Sequence, residues 1–184
     1  MLEKFFKPKI DIELIRIGPN SDGGYFIPKK FIKLPKNLIA CGLGYNWEFE
    51  KEYLKLNKKV KIIAYDHSVN ILGFVKHFLF SLIFAFRFRK NFKELFKYID
   101  YIFFFNKKNV SHKKLRINNN KKKITNINLD EVLKKYKDIL LKIDIEGDEY
   151  KILDSITKHE KKIFCLIIEF HEINKNKSKI KNFL

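Results

Sequence analysis

A chain of 184 residues with 46% hydrophobic and 15% aromatic side chains has enough apolar material for one domain with one core, which excludes an intrinsically disordered protein. The formal net charge is +18, yet only four residues are arginine. Specific nucleic-acid contacts rely on arginine, so this lysine charge does not predict a nucleic-acid partner. We attribute it mainly to biased composition and solubility, with attraction to an anionic surface as the alternative.

The two cysteines and the N-terminus indicate the compartment. Cys41 and Cys165 lie in apolar runs without the spacing of a metal site, which predicts buried thiols in a reducing environment. The N-terminal stretch MLEKFFKPKIDIE lacks the apolar run of a signal peptide. Together these features predict a cytoplasmic protein.

The first predicted element is a β-hairpin at residues 15–28, IRIGPNSDGGYFIP. Two runs rich in Ile, Tyr and Phe flank a polar turn, and its Asp-Gly-Gly segment supplies the positive φ values of a tight reversal. Residues 37–44, NLIACGLG, then predict a strand ending in a glycine turn. A helix over WEFEKEYLKL and a strand over KVKIIAYDHS follow, and a unit of this kind implies parallel pairing through a right-handed crossover.

Residues 69–100 predict a helix, YIFFF at 101–105 a strand, and residues 106–123 a surface loop or an edge hairpin. The apolar run within 70–90 is interrupted by Lys76 and His77, so it is too short for the roughly 20 residues that span a bilayer. Its apolar residues nearly encircle a helix. We interpret them as core packing, with peripheral membrane contact as the alternative.

The last third of the chain predicts a short helix capped by Asn128 or Asp130, then a strand, acidic turn and helix over DILLKIDIEGDEYKILDSI, and a strand over KIFCLIIEFHE. The alternation predicts an α/β fold with an open, mostly parallel sheet. We expect an N-terminal hairpin element at 1–37, a main domain at 38–173 and a basic tail at 174–184.

In such sheets ligands bind at the carboxyl ends of the strands. Gly42 and Gly44 let the backbone approach a ligand, and Asp66, 22 residues beyond Gly44, is placed to accept the hydroxyls of a ribose. Trp47 stands where a dinucleotide fingerprint needs a third small residue, and no P-loop is present. The turn therefore predicts S-adenosylmethionine, which has no phosphates, with a plain tight turn as the alternative.

Charged residues mark the ends of the two later strands. Period-2 geometry places Lys142, Asp144 and Glu146 on one face. They form either a polar wall for a substrate, which we favour, or an internal ion pair between Lys142 and Asp144. Glu169 and His171 also share a face, and adjacent strands would bring them to Asp144 and Glu146.

That group of four could deprotonate a hydroxyl, with His171 or Asp144 as the base. A divalent metal held by oxygen ligands and one imidazole is the weaker alternative, so we assign no metal ligand.

The residues resemble the FkbM-type S-adenosylmethionine-dependent methyltransferases. The resemblance rests on LLKIDIEGDEYKIL, the preceding TNINLDEVL and the following CLIIEFHE. ACGLG and IAYDHS fall where that family has its cofactor turn and its ribose-binding acid. RIGPNSDGGYFIP is similar to an N-terminal element found in a subset of these proteins.

The resemblance implies a Rossmann-like class I methyltransferase fold and methyl transfer, usually to a hydroxyl, with glycans or other small molecules as acceptors. Carried over by position, Gly42, Gly44 and Asp66 would bind the cofactor, and Asp144 and Glu146 would line the reaction site. The cofactor turn lacks the family's acidic residue and third glycine, and the sheet is expected to lack its last two strands.

From these features we expect O-methylation of a sugar or glycan hydroxyl. A catalytically inactive or truncated basic module that binds nucleotides or nucleic acid is the alternative. Set before a cofactor-binding sheet, the hairpin turn becomes a candidate lid, with Asp22 and the backbone of Gly23 and Gly24 near the cofactor mouth.

Overall fold

The computed structural model describes residues 11–88, 96–118 and 124–184. Its strands are β1 Leu14–Ile17, β2 Tyr25–Pro28, β3 Asn37–Cys41, β4 Lys61–Tyr65, β5 Val110–Lys113, β6 Arg116–Ile117, β7 Asn126–Ile127, β8 Ile139–Ile143 and β9 Ile163–Ile168. Its α-helices are α1 Glu48–Leu56, α2 Ile71–Phe88, α3 Lys97–Phe105, α4 Leu129–Lys134, α5 Leu153–Lys158 and α6 Ile173–Phe183.

Five of these strands pair in parallel in the order β5-β4-β3-β8-β9. The chain starts the sheet at its centre with β3, continues to one side through β4 and β5, and then crosses over to β8 and β9. The strand order therefore reverses beside β3, which is where sheets of this type open a crevice for ligands. The predicted α/β class and the mostly parallel sheet are confirmed.

Apolar strands are covered on both faces because their side chains alternate in direction. In β3, Leu38 and Ala40 belong to a core formed with the hairpin, α1, α2 and α3. Ile39 and Cys41 face the opposite core, which contains the buried side chains of α4 and α5. Asn128 caps α4 by accepting the backbone N–H of Asp130 at 2.8 Å, one of the two predicted caps.

Both cysteines are free and buried, as predicted. Burial raises the pKa of the Cys41 thiol to about 12 and that of Cys165 to about 11. Such thiols stay protonated at neutral pH and act as small apolar side chains.

The predicted hairpin is confirmed as the antiparallel pair of β1 and β2. Its turn is held from within, since the Arg16 guanidinium donates to the carbonyl oxygens of Pro19 and Ser21 at 2.7 to 3.0 Å. Gly23 has φ +83°, and a Cβ there would lie 2.3 Å from the Asn46 side chain. The turn therefore packs directly on the loop that follows β3.

Two predictions for residues 101–123 are wrong. YIFFF is the second half of α3 rather than a strand. Residues 110–113 form β5, a parallel edge strand of the central sheet, where a loop or edge hairpin was expected. YIFFF was misleading because α3 exposes the apolar Ile102 and Phe103, so its pattern imitates a strand that is buried on both faces. β5 was missed because its sequence, VSHK, is mostly polar.

The core-packing interpretation of α2 is also wrong for its described side chains, of which only Phe74 is buried. In the described part of the chain no helix combines the length and the apolar character needed to cross a membrane. The predicted basic tail forms α6, which buries Ile180.

Candidate active site

Four residues, each directly after one of the strands β3, β4, β8 and β9, lie in a row along the carboxyl edge of the sheet. Gly42, Asp144 and Glu169 each donate the backbone N–H to the neighbouring strand, at 3.0, 2.8 and 2.9 Å. Asp66 does the same toward β5 at 3.1 Å. The backbone hydrogen bonds of the sheet therefore continue one residue beyond the strands. These bonds fix the positions of the four residues without any contribution from side chains.

The two glycines of the loop after β3, which we call the glycine loop, are needed for different reasons. A Cβ on Gly42 would lie 1.5 Å from the backbone oxygen of Asp144, so this glycine allows close packing against the exit of β8. Gly44 has φ +55°, and a Cβ there would meet nothing within 4 Å. Its backbone thus borders open space, and a side chain there would project into that space.

The Asp66 carboxylate holds this loop in place. Its Oδ2 accepts the backbone N–H groups of Leu43 at 2.8 Å and Gly44 at 2.7 Å. Its Oδ1 accepts the backbone N–H and the hydroxyl of Ser68, both at 2.6 Å. Burial opposes ionisation of Asp66, but the hydrogen bonds from Ser68 and the loop outweigh it and lower the pKa of the carboxyl.

A cavity of ≈ 400 Å³ opens beside the loop, within the size range of small-molecule sites. Its lining comes from the hairpin turn, the glycine loop, the end of β4, β6 and the exit of β8. These residues include Asp22, Gly23, Gly42, Gly44, Asp66, Arg116, Asp144 and Glu146. All five residues predicted to contact a cofactor therefore border one cavity, whereas Glu169 and His171 do not line it.

A carboxylate cluster lies next to this cavity and shares Asp144 with it. The Tyr25 hydroxyl is 3.0 Å from Asp144 Oδ2 and 3.2 Å from Glu169 Oε2, so it can donate to either carboxylate. Burial and the two neighbouring negative charges raise the pKa of Tyr25 far above its usual range. The tyrosine therefore stays a neutral donor between the two acids.

His171 completes the cluster, and a buried acid orients its ring. Nδ1 lies 2.9 Å from Oε1 of Glu149, a fully buried side chain. Nε2 faces Glu146 at 3.6 Å and Asp144 at 4.0 Å. Partial burial opposes protonation, but these carboxylates outweigh it, Glu149 most of all, and raise the pKa of His171.

Backbone strain borders the same cluster. Glu146 and Glu172 are non-glycine residues in the left-handed region, with φ +54° and +48°. Such conformations cost of order 1–3 kcal/mol each and concentrate at functional sites. They set the directions in which the chain leaves β8 and passes His171.

The cluster also satisfies the spacing of a cation site. Asp144, Glu169 and His171 each offer one ligand atom, and these atoms lie within 4.8 Å of one another. Two carboxylate oxygens and one imidazole suit a divalent metal. The arrangement therefore supports either proton transfer through His171 or cation binding, the two alternatives that the sequence left open.

The comparison with protein families decides the relationship. Residues 27–184 match the family described as Methyltransferase FkbM domain. The chain belongs to this family. It is a methyltransferase by that membership, and its central sheet lies entirely within the match. Neither the curated proteins nor the solved structures yield a match.

The family match leaves part of the site outside. Asp22, Gly23 and Tyr25 precede residue 27, although all three border the cavity of this FkbM domain. The predicted domain boundaries at 37 and 173 stay predictions.

Lys142 of the FkbM domain has a different partner from the one considered in the sequence. Its Nζ lies 3.2 Å from Glu50 on α1, and the two side chains are 3% and 0% exposed. The alternative of an internal pair between Lys142 and Asp144 is therefore wrong. Glu50 could not be found from the motif because it is 92 residues away in the chain.

Sequence reasoning missed three further residues of this site. Tyr25 lies in the hairpin, where only the turn drew attention, and Ser68 is two residues after Asp66. Glu149 belongs to the quoted acidic motif, where its fully buried side chain holds the His171 ring. Their positions in the motifs were visible, but their direction toward the site required the folded chain.

Proposed function

We propose that this methyltransferase uses S-adenosylmethionine to methylate a hydroxyl oxygen of a sugar or glycan. The observation that supports this most is the double position of Asp144. It lines the ≈ 400 Å³ cavity and also lies in the cluster with Glu169 and His171. A cofactor in the cavity and an acceptor hydroxyl at the cluster would then meet at one carboxylate.

The cavity suits this cofactor. Gly44 borders open space with its backbone, so a ligand can approach without displacing a side chain. Gly42, Gly44 and Asp66 would hold the adenosine end, and Asp22 with Gly23 would border the mouth. When bound, S-adenosylmethionine supplies an electrophilic methyl group on a positively charged sulfur.

The chain's own residues would prepare the acceptor. His171 Nε2 would take the proton of the hydroxyl, while Glu149 holds Nδ1 and fixes the ring. Asp144 and Glu169 would accept hydrogen bonds from adjacent hydroxyls, which is how carboxylates recognise sugars. Catalysis would come from alignment of the acceptor oxygen and from removal of its proton.

Calorimetry with S-adenosylmethionine tests the cofactor. We expect binding that weakens in Asp66→Ala, because the glycine loop loses its anchor. Absence of binding at high micromolar cofactor, or binding unchanged in Asp66→Ala, would overturn the proposal.

Transfer of a labelled methyl group to a panel of lipid-linked and nucleotide sugars tests the reaction. We expect His171→Gln to lower the rate by about 100-fold or more while cofactor binding is kept. His159→Gln is the matched control, because His159 also pairs with a carboxylate, Asp130 at 2.9 Å, away from the cavity. Cofactor binding without transfer to any acceptor would favour the non-catalytic alternative.

A further inference from the structure

Two neighbouring helices expose apolar side chains on their outward faces. On α2, Leu72 is 74% exposed and Leu79 is 54% exposed. Phe96, directly before α3, is 59% exposed, and Phe103 within α3 is 72% exposed. Helices on the surface of a globular protein place polar side chains there, so apolar side chains gathered on such a side mark a candidate interaction surface.

We call these exposed apolar residues of the two helices the apolar face: Leu72, Val75 and Leu79 of α2, Phe96 directly before α3, and Ile99 and Phe103 of α3. Their spacings of three and four residues place each set on one side of its helix. The opposite sides meet through Phe74, whose ring centroid lies 5.1 Å from that of Tyr98 and 5.2 Å from that of Tyr101. The two helices therefore contact each other on the sides opposite their exposed apolar residues.

The charge around the apolar face has one sign. No Asp or Glu occurs between Asp66 and Glu94. Asp100, the one acid of α3, is bound to the Trp47 indole at 2.7 Å and to Lys51 at 2.9 Å. Exposed lysines stand at the margins: Lys76 on α2, and Lys107 and Lys108 after the end of α3.

We propose that the apolar face docks on an anionic lipid bilayer, with α2 and α3 lying in the plane of the headgroups. Apolar side chains would enter the acyl boundary, and the marginal lysines would meet lipid phosphates. The net charge of +18 adds a long-range attraction to such a surface. A twofold contact between two copies would bring lysine margins of like charge together, so a bilayer is the better complement.

Flotation with vesicles tests this surface. The full chain is mixed with vesicles of phosphatidylcholine and phosphatidylglycerol, or of phosphatidylcholine alone, and the bound fraction is measured at low and high salt. We expect binding to the anionic vesicles that weakens with salt. Equal binding to neutral vesicles, or no binding to either, would overturn the proposal.

Matched variants distinguish vesicle binding through the apolar face from nonspecific vesicle binding. The double variant Leu79→Asp with Phe103→Asp should lower the bound fraction about tenfold or more, because it places two charges on the apolar face. Both side chains are exposed, so the fold should be kept. Phe164→Asp, 43% exposed on the far edge strand β9, should bind like the natural chain. Circular dichroism confirms the fold of each variant.

Two further outcomes would contradict the proposal. In the first, light scattering shows that the natural chain is a dimer and that the double variant is a monomer, and neither protein binds to vesicles. In that case a second copy covers the apolar face and the proposal fails. If Lys107→Glu with Lys108→Glu leaves vesicle binding unchanged, the anionic complement is wrong. Neither result depends on whether the chain transfers methyl groups.

Discussion

At the scale of single residues, Asp66 links the loop geometry to the ligand site. A carboxylate has about four lone-pair positions, and protein donors from Leu43, Gly44 and Ser68 occupy four in this structure. The expectation that Asp66 accepts ribose hydroxyls stays a prediction, and such a contact would have to share oxygens with Ser68 or the loop. The structure adds a second role for this acid, which is to hold the glycine loop in its bent form.

Asp66→Asn tests that role through stability. An amide accepts with one atom only, so two of the donors would lose their partner, and we expect a loss of about 2 kcal/mol in the free energy of unfolding. The folded pKa lies below the unfolded value of 3.8, so the contribution is complete above that pH and is lost as the pH falls through the folded pKa. Urea unfolding at neutral and acidic pH measures it.

The control for this prediction is Asp22→Asn, which alters an exposed carboxyl of the hairpin turn. It should leave the unfolding free energy at neutral pH unchanged. If Asp66→Asn were equally neutral at pH 7, the carboxylate would not anchor the loop.

Glu149→Gln tests how the buried acid tunes His171. The pKa of His171 is raised, with Glu149 as the largest favourable influence. A base must be unprotonated, so methyl transfer should increase as the pH rises through this pKa. Removing the Glu149 charge lowers the pKa, and we expect the midpoint of the pH–rate profile to move to lower pH while the amide still holds the ring.

The same measurement separates proton transfer from cation binding. A profile that does not move in Glu149→Gln, together with activity lost on chelation and restored by a divalent metal, would assign Asp144, Glu169 and His171 to a metal site. Activity that persists in chelator would leave His171 as the base.

At the scale of elements, the hairpin contributes chemistry to the site. Tyr25 opens β2, and its hydroxyl reaches Asp144 and Glu169 at the ends of β8 and β9. Its ring packs edge-on against Phe49 of α1, with centroids 5.4 Å apart. The hairpin is thus fastened beside the cluster, while its turn borders the cavity.

Tyr25→Phe keeps the ring and removes the donor between the two acids. We expect roughly tenfold slower methyl transfer and a loss of about 1 kcal/mol in stability. Tyr53→Phe is the matched control, because it removes a buried hydroxyl that donates to the Ile32 carbonyl oxygen at 2.8 Å, away from the cluster. It should cost similar stability and leave the rate unchanged; equal rates in both variants would exclude a role for the Tyr25 hydroxyl.

Elements also show what the sequence could predict. The buried strands β3, β4, β8 and β9 were recognisable because each is a short apolar run ended by Gly or an acid, and their carboxyl ends gave Gly42, Asp66, Asp144 and Glu169. Helix α3 was mistaken for a strand in part because its outward Ile102 and Phe103 break the usual polar pattern. Contacts between distant segments, such as Tyr25 with Glu169, carry no signal in one sequence.

At the scale of the whole molecule, the loop that follows β3 borders two cavities. Tyr45 and Asn46 line the smaller cavity and also a larger one of ≈ 810 Å³ that reaches Phe96 at the apolar face. If the chain docks on a bilayer, this second cavity would lie between the membrane and the candidate active site. A lipid-linked sugar is then the acceptor class to test first.

The buried pair of Lys142 and Glu50 ties β8 to α1 within the core beside the hairpin. Lys142 Nζ also lies 5.2 Å from the Tyr25 ring centroid and 5.8 Å from that of Phe49. Removing one member of a buried pair leaves an uncompensated charge, whereas replacing both by apolar groups is often neutral or stabilising. The pair therefore stabilises the arrangement of these elements only as a unit.

A double-mutant cycle tests this last point. Lys142→Met alone should lower the free energy of unfolding by about 3–5 kcal/mol, and adding Glu50→Leu should restore most of that loss. The exposed pair of Lys29 and Glu13, 2.7 Å apart and 58% and 69% exposed, is the control. Lys29→Met should change little, because water screens such pairs. Additive losses in the Lys142 and Glu50 cycle would mean that the two charges do not compensate each other, and that each is held by its other contacts.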